Sequence, residues 1–162
     1  MKLKIERIVK GWGLGKNIIP ANIGFIDNGS GRKFAKEKTD PFWLEAFSSF
    51  NLIPKYLEPV YQIFTGIHYL PGTHTHIHKD TAPKGFVHVR CNVMLKKPPS
   101  GGNPILDNEV LEVEEGDLWL CLASLERHGS TPISKPFRII KSFGSLIPIY
   151  DLKHIIDVEK IQ

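Results

Sequence analysis

The densest chemistry in the chain lies in one run, His74-Thr75-His76-Ile77-His78-Lys79-Asp80. In an extended strand alternate residues face the same way, so His74, His76, His78 and Asp80 are expected to share one side. His78 and Asp80, two apart, can hold one metal ion from that side, and imidazole with carboxylate suits iron(II) and related divalent metals. A third ligand must come from elsewhere. His128, in Glu126-Arg127-His128-Gly129-Ser130, follows a predicted strand and is the best candidate. Two histidines and one carboxylate leave coordination positions open for a cosubstrate and oxygen. A structural zinc site would close its shell, usually with cysteines, and Cys91 and Cys121 stand at no ligand-like spacing. The alternative is a cupin-like pair, His76 and His78, completed by a later Glu or His.

Other residues could complete such a site. Arg138 lies on the strand predicted after His128, sharing a face with Ile140 and Ser142. An arginine there can grip a carboxylate through two parallel hydrogen bonds. Tyr69, upstream of His78, has a hydroxyl that could donate to the same ligand. His88, Arg90 and Asn92 share the polar face of a third predicted strand, with Asn92 the candidate for binding the cosubstrate. His74 and His76 are expected to line the entrance.

These side chains need a sheet to position them. Phe86 to Leu95 alternates in period two, with Val87, Val89, Cys91, Val93 and Leu95 on one face. Val60 to Tyr69, Leu118 to Ala123 and Phe137 to Phe143 also read as strands. Asp107-Asn108 and Glu115-Gly116-Asp117 read as hairpin turns, and Pro98 to Pro104, containing Gly101-Gly102, as a loop. Many short strands between turns indicate an antiparallel sandwich or barrel. Helical material precedes it. Asp40 can cap a helix with Pro41 at its first position, and a short second helix between Pro54 and Pro59 is possible. Gly11, Gly13 and Gly15 follow no strand of a βαβ unit, so they mark a loop or a close passage of backbones. The tail from Tyr150 is amphipathic, either a docking helix or an added strand.

Over residues 60–145 the chain resembles the iron(II)/2-oxoglutarate-dependent oxygenase superfamily. Tyr69-Leu70-Pro71-Gly72 followed by His78-Lys79-Asp80 looks like the entry to its metal site, with the tyrosine spacing of the nucleic-acid demethylase branch. Gly116-Asp117-Leu118-Trp119-Leu120, His128-Gly129-Ser130-Thr131-Pro132-Ile133, Phe137-Arg138 and the Gly101-Gly102 loop resemble the prolyl hydroxylase-like branch. Ile140 stands where some branches carry serine, and Ile67 where the demethylase branch has asparagine. The resemblance implies a double-stranded β-helix (jelly roll) with one or two N-terminal helices. It implies iron(II) on His78, Asp80 and His128, with Arg138 on the far carboxylate of 2-oxoglutarate and Tyr69 assisting. The implied reaction consumes oxygen and 2-oxoglutarate, releases succinate and hydroxylates a substrate. Halogenating relatives lack the carboxylate ligand, so Asp80 favours hydroxylation.

The bulk numbers fit one domain of 162 residues, 41% hydrophobic and 23% charged, with residues 1–59 as a supporting or lid region. Two cysteines in apolar surroundings read as buried thiols. There is no signal-like apolar run at the start and no stretch of roughly 18 apolar residues, so a cytoplasmic protein without a membrane partner is expected. Net charge is +4. Residues 1–40 are Lys/Arg-rich and residues 107–117 hold only acidic charges, which reads first as a solvated surface. For the substrate, a protein or peptide ranks first, ahead of a nucleobase or a small molecule. A non-catalytic jelly roll that binds a ligand is a further alternative. The oligomeric state is left open.

Overall fold

The computed structural model of the chain describes residues 1–55 and 62–161. The strands in chain order begin with β1 (Ile8–Val9), β2 (Ile26–Asp27), β3 (Arg32–Glu37), β4 (Ile63–His68) and β5 (Phe86–Lys96). They continue with β6 (Pro104–Leu106), β7 (Glu109–Val110), β8 (Leu118–Leu122), β9 (His128–Ser130) and β10 (Arg138–Pro148). A seven-stranded sheet runs in the order β1-β8-β5-β10-β4-β3-β2, and a three-stranded sheet in the order β7-β6-β9. Neighbouring strands are antiparallel throughout. One further bridge, His78 to His128, adds the segment before β5 to the small sheet. This is the mainly-β jelly roll that the sequence predicts.

The periodicity of β5 explains how the large sheet is used. Val87, Val89, Cys91 and Val93 are buried in the main core with Leu118, Leu120 and Leu122 of β8. The alternate residues Arg90 and Asn92 line a cavity between the two sheets. β8 is buried on both faces, which is why it reads as one apolar run instead of an alternation. Trp119 and Cys121 belong to a second apolar cluster with Met94 and Leu106. Cys91 and Cys121 are free and buried on opposite faces of the sheet, as the expected thiols.

The outer face of the large sheet is covered by chain from both ends. The helix α1 (Trp43–Ser48) buries Ala46 and Phe47 there, and Trp43 Nε1 donates to the Gly144 carbonyl at 2.9 Å. Burying a side chain such as Phe47 contributes about 2–3 kcal/mol. Asp40 does not cap α1 directly. Its Oδ1 accepts from the Phe42 amide at 2.7 Å, one turn earlier, so the helix begins at Trp43. The second helix expected between Pro54 and Pro59, and the start of the strand expected from Val60, fall largely outside the described residues. The tail folds as two 3-10 turns, Ile149–Leu152 and Val158–Lys160, with Leu152, Ile155 and Ile156 in the core. It is neither an α-helix nor a strand. Gly13 lies where two backbones pass closely, its amide donating to the Gly116 carbonyl at 2.7 Å. No helix among the described residues is long and apolar enough to cross a membrane.

Candidate active site

The two sheets enclose a cavity of about 530 Å³. His78, Asp80 and His128 meet at its edge, each offering a ligand atom, and these atoms lie within 4.8 Å of one another. Asp80 Oδ1 is 3.2 Å from His78 Nε2 and 3.7 Å from His128 Nε2. The other ring nitrogens are tied back. His78 Nδ1 is 2.8 Å from the His76 carbonyl, and His128 Nδ1 is 2.9 Å from the Glu126 carbonyl. A carbonyl accepts only, so each Nδ1 donates its proton there and each Nε2 is the nitrogen left to face a metal. This is how histidines are held for a metal. The donor set therefore fits a divalent ion with two imidazole nitrogens and one carboxylate oxygen.

The elements behind these ligands are specific. His128 opens β9 directly after a turn pinned from the far end of the chain. Arg7 NH1 and NH2 donate to the Glu126 carboxylate at 2.9 and 2.6 Å, and the Leu122 amide also donates to it. That network fixes the Glu126 carbonyl to which His128 bonds. Gly129 follows because the neighbouring backbone comes too close for a side chain. A Cβ there would stand 2.6 Å from the Thr75 carbonyl oxygen.

Opposite β9, residues 74–80 are extended but not the regular strand expected. The Ser130 amide donates to the Thr75 carbonyl, while His78 and His128 exchange both backbone bonds. Three steps on one side therefore match two on the other. One extra residue bulges, and a bulge reverses the alternation of faces. Thr75 and His78 consequently both line the cavity. His74 and His76 do not; their rings pack against each other at 4.8 Å. The expectation that all four share one side is corrected on this point, and the cupin-like pairing of His76 with His78 is not formed.

His88 lies behind Asp80. It is buried, and its Nδ1 is 3.4 Å from Asp80 Oδ2. Burial and the neighbouring Arg90 pull its pKa down to about 4, against the opposing pull of Asp80. Neutral His88 can thus donate one N–H to the outer oxygen of Asp80, leaving the inner oxygen toward the two histidines. Arg90 is partly buried, stacked over the Phe64 ring at 4.9 Å and 3.3 Å from Ser142 Oγ. Asn92 and Ser142 stand side by side on the cavity wall.

The cavity floor is a grid set by strand register. Arg32 of β3, His68 of β4 and Arg138 of β10 form one row. Phe34, Gly66 and Ile140 form the next, then Lys36, Phe64 and Ser142. Arg138 is 4% exposed, and its Nε donates to the Gly102 carbonyl at 2.6 Å. No carboxylate among the described residues pairs with it. Burial, reinforced by the charge of Arg32, lowers its pKa to about 10, so it stays a cation at neutral pH. Gly101 and Gly102 let the loop close over it. Both have positive φ, and a Cβ on Gly101 would lie 1.8 Å from the Pro132 oxygen.

Tyr69 is not brought to this site. Its hydroxyl donates to the Asp27 carboxylate, with contacts of 2.7 and 2.8 Å. It follows the last residue of β4, so its side chain leaves the cavity face, and His68 takes the inward place. His68 and Arg32 were not singled out by sequence. His68 shares parity with Phe64 and Gly66, which is a usable signal, but its pairing with Arg138 depends on strand order. Burial and the charges of Arg138 and Arg32 push the His68 pKa down to about 3.

No protein-family model matches the chain, and no curated protein matches it in sequence. Among solved structures, the chain is similar to KdgF from Halomonas sp., with 11% identity and a TM-score of 0.45 over 74% of this chain and 84% of that one. It is similar to an oxidoreductase of the 2OG-Fe(II) oxygenase family from Burkholderia pseudomallei (15% identity, TM-score 0.47), covering 59% of this chain and 48% of that one. It is also similar to the viral collagen prolyl hydroxylase of Paramecium Bursaria Chlorella virus-1 in its 2OG complex (13% identity, TM-score 0.42), over 74% of this chain and 97% of that one. At these identities the likeness is one of chain path.

Proposed function

We propose that the chain is an iron(II)- and 2-oxoglutarate-dependent oxygenase that hydroxylates its substrate. One observation carries this reading. A three-ligand cluster and the buried Arg138, which has no carboxylate partner among the described residues, share a single cavity. A buried guanidinium without an anion is costly, and that cost is offset when an anion arrives. The metal end has two histidines and one carboxylate, a set that leaves positions open.

His78, Asp80 and His128 would hold iron(II), which when bound supplies oxygen activation at the expense of 2-oxoglutarate. Arg138 binds the far carboxylate of 2-oxoglutarate through paired N–H donors, with the Gly102 carbonyl fixing its Nε. His88 orients Asp80 so that one oxygen faces the histidines. Asn92 and Ser142 offer hydrogen bonds along the wall between the two ends. Trp119, Ile140 and Phe64 exclude water from the reacting volume.

Succinate formation from 2-oxoglutarate with added iron(II), in the absence of any substrate, is the test. Slow turnover is expected, abolished by chelator, by His78→Ala and by Arg138→Ala. Turnover that persists in His78→Ala would remove the ligand assignment. Neither turnover nor 2-oxoglutarate binding would remove the oxygenase reading.

A further inference from the structure

The cavity carries more positive charge than one cosubstrate neutralises. Its lining includes Arg32 and Arg138, while Asp80 is the single carboxylate among the described lining residues. A divalent metal balances Asp80 and one carboxylate of 2-oxoglutarate. Arg138 balances the other. Arg32 is then left facing the same cavity, half-buried, and no carboxylate among the described residues pairs with its guanidinium.

A second observation points to a ligand at that place. His68, beside Arg32 in the same row, is 3% exposed and lines the cavity. Its Nδ1 is buried without a hydrogen-bond partner, while Nε2 reaches only Thr75 Oγ1 at 3.4 Å. A buried donor or acceptor left unmade is costly, so a partner that enters the cavity would relieve it. Next to this polar row stand Phe34 and Ile140, with Gly66 between them leaving the middle of the floor open.

We propose that β3 is the substrate-recognising element and that the hydroxylated substrate is a small organic anion. Its carboxylate or phosphate is held by Arg32 beside His68, and its apolar body rests on Phe34 and Ile140. The proposal rests on the oxygenase reading above and deepens it by naming the substrate class. It places a small molecule ahead of a peptide. The cavity volume suits one, since pockets for small molecules run from about 300 to 1,000 Å³.

The test uses the Mn(II)-loaded protein saturated with 2-oxoglutarate, titrated by calorimetry with benzoate, phenyl phosphate and the neutral benzyl alcohol. One or both anions are expected to bind at one site, with benzyl alcohol binding at least roughly tenfold more weakly. Arg32→Gln should weaken the anion by about tenfold, and Arg32→Lys, which keeps the charge, by less. Circular dichroism checks that both variants fold. A preference for benzoate marks a carboxylic acid substrate and a preference for phenyl phosphate a phosphate ester; either supports the proposal. Binding of benzyl alcohol as tight as the anions, no anion binding at all, or anion binding unchanged in Arg32→Gln overturns it. So does an Arg32→Gln variant that loses 2-oxoglutarate instead, because Arg32 would then belong to the cosubstrate. Failure of the oxygenase reading is separable. It shows as 2-oxoglutarate binding unaffected by Arg138→Gln, a titration that does not involve the probes.

Discussion

Strand β10 carries two buried cations three residues apart, and they are treated in opposite ways. Lys141, on the outer face, is 1% exposed, with Asp40 at 2.5 Å, Glu37 at 3.2 Å and the Ile19 carbonyl at 2.7 Å. Arg138, on the inner face, is 4% exposed and has one backbone carbonyl and, among the described residues, no carboxylate. The protein thus neutralises one charge internally and leaves the other facing a cavity. Lys141 ties the N-terminal segment to the sheet, whereas Arg138 faces a cavity. Burial alone therefore does not separate a structural charge from a functional one; the partner does.

Removing each charge should break the comparison in a different way. Lys141→Met leaves two carboxylates near the sheet without their cation, so stability should fall by about 3 kcal/mol in urea denaturation. Little change would mean that the three groups are not a stabilising unit. Arg138→Gln should alter stability by less than about 1 kcal/mol, because no internal carboxylate is stranded. It should instead weaken 2-oxoglutarate by about a hundredfold. A large stability loss with unchanged binding would place Arg138 with Lys141 as a structural charge.

A similar contrast holds behind the proposed metal ligands. His88→Phe removes a side chain that touches Asp80 but does not line the cavity, so the fold should persist. Affinity for Mn(II), followed by titration, should fall about tenfold because Asp80 loses its orienting donor. Unchanged affinity would make His88 a packing residue.

The last contrast concerns His68, whose effect is small near neutral pH. Its folded pKa, about 3, lies below the unfolded value of 6.5. As pH falls below about 6.5 the unfolded chain takes up a proton that the folded chain refuses, so stability is lost on acidification. The full contribution is present above pH 6.5. Near pH 5 this group contributes a slope of about 1 kcal/mol per pH unit. His68→Asn should flatten that part of the pH–stability curve, and an unchanged curve would contradict the assigned shift.

What the sequence could convey follows from the range of each interaction. The strand alternation in Phe86–Leu95, the hairpin turn at Asp107-Asn108 and the apolar run of β8 are local patterns, and each is where it was expected. The convergence of His78, Asp80 and His128 was legible because a two-residue spacing and a strand end bring them together. His74 and His76 were misplaced because one bulged residue, invisible in composition, reverses the face. Tyr69 was misplaced because β4 ends one residue before it. Arg32 and His68 were missed because their meeting with Arg138 depends on β3 and β4 lying next to β10, a matter of strand order over about a hundred residues of chain.

A cavity that holds a metal and 2-oxoglutarate together must bind the two cooperatively. The most direct measurement is calorimetric titration of 2-oxoglutarate into the protein with and without Mn(II), paired with the reverse titration. The expected result is that Mn(II) tightens 2-oxoglutarate by at least roughly tenfold and that 2-oxoglutarate tightens Mn(II) by the same factor, as linkage requires. Equal affinity for 2-oxoglutarate in the presence and absence of Mn(II) would contradict the shared site.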